Sequence, residues 1–260
     1  MPTQAPLAGT AASINPVAGI FDGFDIDWEF PAPAEKAGYT AFLTEFRRQL
    51  NAAGAATGKR YLLTAYLPAG QQNFQNIDLP AVGAVLDYAN LQSYDFNGPY
   101  DQHTGFNAPL YQSEYDNSNF NINDTVTAYV GNGFPARKIL LGIPFYAYGW
   151  TATGAEQPGQ NGRFVASVNT NGTGSAPPTP NPMYVSVQQN NSLLPPPAAV
   201  YTTSPEDYTL FSDILPFSQV FRDPRADVPY LWDGTNFWSY DDQQSIRTKM
   251  NYALVKGLGG

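Results

Sequence analysis

From Phe24 to Glu29 the chain alternates apolar and acidic side chains without a break: Phe24-Asp25-Ile26-Asp27-Trp28-Glu29. A period of two is the mark of a β-strand, whose successive side chains point to opposite faces. Phe24, Ile26 and Trp28 then share one face, and Asp25, Asp27 and Glu29 the other. After a Pro31-Ala32-Pro33 loop the period changes. Tyr39, Phe42, Leu43, Phe46 and Leu50 recur at helical spacing, with Gly54 as the stop. A second strand is expected over residues 61–67, ended by Pro68, and a short helix over 80–87. A third strand over 88–96 closes on Asn97-Gly98-Pro99, and 124–130 read as the end of another helix. Residues 138–146 form the almost continuous apolar run of a strand covered on both faces.

Strands that alternate with helices argue for an α/β fold with a parallel sheet, or a (β/α) barrel. The rhythm breaks at Thr151. Pro, Asn, Gly, Ser and Thr dominate as far as Tyr240, with tracts such as Ala176-Pro177-Pro178-Thr179-Pro180 and Leu194-Pro195-Pro196-Pro197. An inserted α+β subdomain is expected over 151–240. The rhythm resumes over 241–260. Ile246, Met250, Ala253 and Leu254 lie on one helical face, Gly257 suits the stop, and another strand is expected to start at Leu258-Gly259-Gly260. Residues 1–19, rich in Ala, Pro, Thr and Gly, lack the basic start and apolar stretch of a signal peptide and read as a linker or irregular segment.

The 260 residues are 43% hydrophobic, so a sizeable core is expected. No apolar run approaches the roughly 18 residues of a membrane span, so no membrane partner is expected. A net charge of −9 repels phosphate backbones, which argues against nucleic acid as a partner. The absence of cysteine excludes disulfides and thiolate metal sites, and a single histidine, His103, excludes a multi-histidine metal site. His103 lies in the polar, turn-like Asp101-Gln102-His103-Thr104-Gly105 and reads as a surface residue. With 17 Tyr, 16 Phe and 4 Trp, the chain suits a neutral ring-shaped ligand such as a sugar, although most of these rings serve the core.

Only 13% of the residues are charged, yet Asp22, Asp25, Asp27 and Glu29 fall within eight positions. Neighbouring acids on one strand face stand roughly 6.6 Å apart, at about 3.3 Å per residue. Buried like charges are costly unless they share protons or bind something. Such a row titrates as a coupled set, and a carboxyl kept protonated is what general acid catalysis requires. Glu29 ends its strand, where a (β/α) barrel carries its active site. Two other readings stay open: a Ca²⁺ or Mg²⁺ site, and a structural strand salt-bridged to some of the 13 Lys and Arg. Ordinary retaining glycosidases set two carboxylates across the bond being cut. One strand cannot easily do that. Either another strand brings a second carboxylate, or the substrate supplies the nucleophile.

Asp22-Gly23-Phe24-Asp25-Ile26-Asp27-Trp28-Glu29 matches the D-x-x-D-x-D-x-E signature of glycoside hydrolase family 18, the chitinases, and the chain resembles that family from about Gly19 to Gly260. Ser93-Tyr94-Asp95-Phe96-Asn97-Gly98 resembles the family's Met-x-Tyr-Asp strand and loop, and Thr104 to Leu110 its next loop. Lys138 to Trp150 resembles the seventh barrel strand with its Tyr-Gly-Arg-Gly-Trp end. Asn236 to Asp242, the last helix and Gly257 to Gly260 resemble the run into strand eight. The resemblance implies a (β/α)8 TIM barrel, with residues 20–150 as the units around strands four to seven. It implies hydrolysis of β-1,4-linked N-acetylglucosamine polymers with retention, the substrate's acetamido oxygen acting as nucleophile. Glu29 would be the acid, Asp27 would hold the N-acetyl group, and Asp25 would share a proton with Asp27. Asp22 would support the strand. Tyr94 would hydrogen-bond the N-acetyl group and Asp95 the sugar, while Gln92, Tyr146, Tyr148 and Trp150 would line the cleft. In the insertion, Tyr230 and Trp232 suit sugar stacking or the core equally. The implied ligand is chitin or chitooligosaccharide, with no cofactor and no metal. The implied location is extracellular.

Gln92 stands where the family usually has Met, and Tyr148 where it has Arg, which a tyrosine cannot replace as an ion or multi-donor contact. The first three βα units and the eighth strand of the barrel are not seen in the chain. An open part-barrel exposes strand edges, so self-association through them and weak turnover in isolation are expected. Two other activities fit the signature: an endo-β-N-acetylglucosaminidase on N-glycans, and a chitin-binding protein without turnover.

Overall fold

The computed structural model describes residues 20–98, 100–116, 118, 120–152, 154–167, 206–207 and 219–260. The expected segment 1–19 and both proline-rich tracts lie outside them. The alternating row folds into β1 (Gly23–Asp27), which pairs in parallel with β2 (Leu62–Leu67). Strands β3 (Tyr88–Leu91) and β4 (Ile139–Leu141) follow, also parallel, in the order β1-β2-β3-β4. Helices α1 (Lys36–Thr57), α2 (Gln71–Phe74), α3 (Leu79–Val85) and α4 (Ile122–Gly131) fill the connections. At the far edge Gly259 N–H donates to Ile139 O at 2.9 Å, and Leu141 N–H to Gly260 O at 3.0 Å. The chain thus runs beside β4 where the next barrel strand is expected.

The core lies between this sheet and its helices. Leu63, Ala65 and Leu67 of β2 alternate inward against Leu43 of α1, Val82 of α3, and Val126 and Tyr129 of α4. Helix α1 does not stop at Gly54 but continues to Gly58, whose φ of +69° is the left-handed cap that glycine favours. Gly54 serves close approach instead, since a Cβ there would lie 2.4 Å from Lys59 O.

The expected strand over 138–146 is divided. It leaves the barrel sheet after Leu141, and Pro144 removes a ladder donor. From Tyr146 the chain enters a second, antiparallel sheet, ahead of the expected boundary at Thr151. This sheet comprises β5 (Tyr146–Thr151), β6 (Glu206–Asp207), β7 (Val220–Asp223), β8 (Val228–Trp232) and β9 (Asn236–Ser239), ordered β6-β5-β9-β8-β7. Its aromatic core contains Phe106, Trp150, Tyr230 and Phe237.

Helix α5 (Gln243–Lys256) starts on a reciprocal Asp242–Ser245 capping box and ends at Gly257. Its buried face is Ser245, Lys249, Tyr252 and Ala253, whereas Met250 and Leu254 of the expected apolar face are exposed. Lys249 Nζ reaches Asp241 at 2.5 Å, and Tyr252 packs edge-on to Tyr111. These contacts turn the helix away from the face that periodicity alone selects.

Candidate active site

The apolar face of β1 is held by aromatic packing. Phe24 lies 5.8 Å from Phe46, and Trp28 lies 5.7 Å from Tyr39 and 6.0 Å from Phe42. Rings on α1 therefore force Asp25 and Asp27 to the other side of the strand. Among the described residues β1 has a strand neighbour on one side only, so the acidic row is exposed rather than buried. This corrects the expectation that desolvation of the whole row marks the site.

Each acid nevertheless has a distinct environment. Asp25 accepts from Thr64 Oγ1 at 2.5 Å and from Asn90 Nδ2 at 2.9 Å. Glu29 is raised above its ordinary value by desolvation, then by the charge of Asp27 and a hydrogen bond with it, then by Asp95. All of these causes favour the protonated form of Glu29. Asp22, at the opposite end of β1, pairs with Lys59 at 2.8 Å on the surface.

Tyr94 and Asp95 follow the C-terminal end of β3. The Tyr94 ring lies between Tyr66 at 6.4 Å and Tyr146 at 6.2 Å. A Cβ at position 142 would stand 2.5 Å from this ring, so Gly142 clears its place. Asp95 has a φ of +59°, and its carboxylate accepts from Tyr146 Oη at 2.5 Å. Tyr148 stacks edge-on to Tyr146 at 5.3 Å. Burial, followed by the charge and hydrogen bonding of Asp95, pushes the phenols of Tyr146 and Tyr148 far up, so both remain neutral donors. Beside Glu29, a cavity of about 720 Å³ opens between Phe30, Gln92 and Asp95 and extends to Tyr100, His103 and Phe164. His103, expected as a plain surface residue, is exposed and forms part of this wall.

Trp150, expected in the cleft, lies elsewhere, and of its two equal readings Trp232 takes the core. Trp150 is 0% exposed and Trp232 8%, both packed in the core of the second sheet. The period of β5 sends Tyr146 and Trp150 to the same strand face, but only the strand's first residue reaches the cleft. Trp232 lies under Gly162, where a Cβ would meet its ring at 2.4 Å. Tyr230 is core as well, stacked between Phe221 and Phe237.

The structure adds residues that sequence reasoning missed. Tyr66 is paired in register with Asp27 on one side and Asn90 on the other. Its hydroxyl hydrogen-bonds Tyr94, and burial, then Tyr94, Glu29 and Asp95 push its phenol far up. The polar Thr64 and Tyr66 alternate with apolar Leu63, Ala65 and Leu67, a signal legible in the chain. Their registration against the acidic row was not.

A parallel sheet with an inward carboxylate row at its C-terminal end, flanked by an antiparallel sheet, defines a (β/α)-barrel domain with a site on the catalytic face. The family model of glycosyl hydrolases family 18 matches residues 8–260, and the chain belongs to that family. It is 38% identical to Endochitinase 1 of Metarhizium robertsii over 99% of this chain and 54% of that protein. It is 32% identical to Chitinase A1 of Niallia circulans over 92% of this chain and 34% of that one. The chain thus spans from a third to about half the length of these relatives. Human YKL-39, described as a pseudo-chitinase with retained chitooligosaccharide binding, superposes with a TM-score of 0.73 at 26% identity, over 93% of this chain and 61% of its own.

Proposed function

We propose that this chain carries the acid site of a chitinase, cleaving β-1,4-linked N-acetylglucosamine polymers with help from the substrate's acetamido group. The observation that carries the proposal is the division of the carboxylates. Glu29, raised above its ordinary value, stands beside a hydrogen-bonded Asp27, while Asp95, from the segment after β3, is engaged by Tyr146. A carboxylate already accepting a phenol proton is a poor free nucleophile, so the acetamido oxygen takes that role.

Glu29 protonates the glycosidic oxygen as the acetamido oxygen attacks the anomeric carbon and the bond to the leaving sugar breaks; water, giving its proton to Glu29, then opens the cyclic oxazolinium and restores the acid. Asp27 accepts the acetamido N–H and makes its oxygen more nucleophilic. Asp25, anchored by Thr64 and Asn90, supports Asp27. Tyr94 donates to the acetamido group, and Asp95 contacts the sugar at the cut. Gln92 lines the cleft, and Tyr146 holds Asp95 there with Tyr148 packed behind it. The adjoining cavity gives further sugar units room to lie. Chitin is an extracellular polymer, so the site of action is outside the cell. Among the described residues β1 is an edge strand, which favours self-association.

The test is hydrolysis of chitotetraose by the purified chain and by Glu29→Gln. The variant should lose about 10²–10⁴-fold in rate, the usual worth of a general acid. Equal rates in both would sink the proposal. The solvent-exposed acid row favours a second reading, binding with little turnover, because closure from water strengthens such a site. Tight chitotetraose binding without products would select it. Release of N-glycans with chitotetraose left intact would instead select an endo-β-N-acetylglucosaminidase.

A further inference from the structure

We propose that Asn107 is a positioning residue through which the second sheet fixes the aim of the Asp95 carboxylate, whose place at the sugar rests on the reading above. Asp95 adopts a left-handed backbone, φ +59°, which side-chain-bearing residues rarely take without outside support. Tyr100 Oη donates to the Asp95 carbonyl at 2.5 Å, and the amide side of the turn is held by Asn107. Asn107 Oδ1 accepts the Asp95 N–H at 2.7 Å, and Asn107 O accepts the next amide, Phe96 N–H, at 3.0 Å. Asn107 is 1% exposed, so it cannot itself contact a polysaccharide.

Asn107 is in turn gripped from the second sheet. Its N–H donates to Ser239 Oγ of β9 at 2.8 Å. Ser239 pairs in register with Tyr148 of β5, the strand whose first residue, Tyr146, donates to the Asp95 carboxylate. Two adjacent strands therefore hold Asp95 at two points. β9 acts on its backbone through Asn107, and β5 acts on its side chain. A carboxylate fixed at both ends has one aim, and small errors of placement at a reacting centre are costly.

The experiment compares Asn107→Leu, Asn107→Asp and Ser239→Ala with the parent chain by NMR. It reads hydrogen exchange at the Asp95 amide and the chemical shift of the hydroxyl-bearing ring carbon of Tyr146, which reports its hydrogen bond to Asp95. In Asn107→Leu the Asp95 amide should exchange about tenfold faster, as loss of one ordinary hydrogen bond implies, while amides of β2 stay protected. Asn107→Asp keeps the acceptor and should restore protection, and Ser239→Ala should fall between. The Tyr146 ring-carbon shift should move in Asn107→Leu and Ser239→Ala, because Asp95 no longer faces the hydroxyl squarely. An unchanged Asp95 amide and Tyr146 shift in folded Asn107→Leu would overturn the proposal. So would a loss of protection spread evenly over both sheets. If Asn107→Leu does not fold, Ser239→Ala and Asn107→Asp decide on the same readouts. Chitotetraose affinity is measured alongside, with about tenfold weakening expected in Ser239→Ala or Asn107→Leu and recovery in Asn107→Asp. If no variant and no parent binds the sugar, the chitin reading fails, and the amide and phenol readouts still decide the role of Asn107.

Discussion

Glu29 is held in its protonated form more strongly than a free carboxyl. Desolvation is the first cause, and the charge of Asp27 is the second. The folded carboxyl therefore ionises above 4.5, its ordinary value. Its contribution to stability is present below the unfolded value and is lost as the pH rises through the folded one. The same rise removes the proton that turnover needs, so activity should fall on the alkaline side of that value. Asp27→Asn deletes the second cause. In that variant the Glu29 carboxyl carbon, followed by NMR, should titrate at lower pH than in the parent. An unmoved midpoint would leave desolvation and Asp95 as the causes of the shift. The acidity of this row was visible in the sequence. The raising of Glu29 was not, because desolvation and the charge of Asp95 come from other segments of the fold.

At the scale of elements, Asp87 joins two strands to a helix. It lies between α3 and β3, and its carboxylate accepts Leu63 N–H of β2 at 2.8 Å and Arg47 of α1 at 2.6 Å, with Arg60 as a third partner. Burial pushes this carboxyl up, but the Leu63 amide and the two guanidinium groups outweigh it and hold it below its usual value. Its stabilisation is therefore present above the unfolded value and is lost as the pH falls through the folded one. Asp87→Ala should cost about 1.5–3 kcal/mol in urea unfolding at neutral pH, the range for hydrogen bonds to a charged group, and less in acid. The elements themselves were largely legible. α1 followed from its apolar spacing, and β2 and β3 from short apolar runs ended by Pro and polar residues. α5 was placed but misread in rotation. Periodicity counts apolar residues, whereas Lys249 is drawn inward by a charge partner that periodicity cannot see.

At the scale of the whole molecule, apolar surface collects at the outer edges of the barrel sheet. Phe24 is exposed on edge strand β1, and Met250, Leu254 and Val255 are exposed on α5, with Leu254 at 79%. Contiguous exposed apolar patches drive association. Sedimentation velocity should show concentration-dependent oligomers of the parent chain, reduced in Met250→Lys/Leu254→Lys. These positions are outside the core, so folding should survive. A parent that stays monomeric throughout would refute the expectation. The sequence by itself determined the class of the fold and the identity of the acid row. Alternation and helical spacing are local properties, and the row's motif is contiguous. Only the tertiary structure decided the rest: that Trp150 and Trp232 are core, that the second sheet begins at Tyr146, and that Tyr66 and Asn107 belong with the site. Those outcomes depend on register and on contacts between residues up to 132 positions apart, such as Asn107 with Ser239, and no local pattern in the chain encodes them.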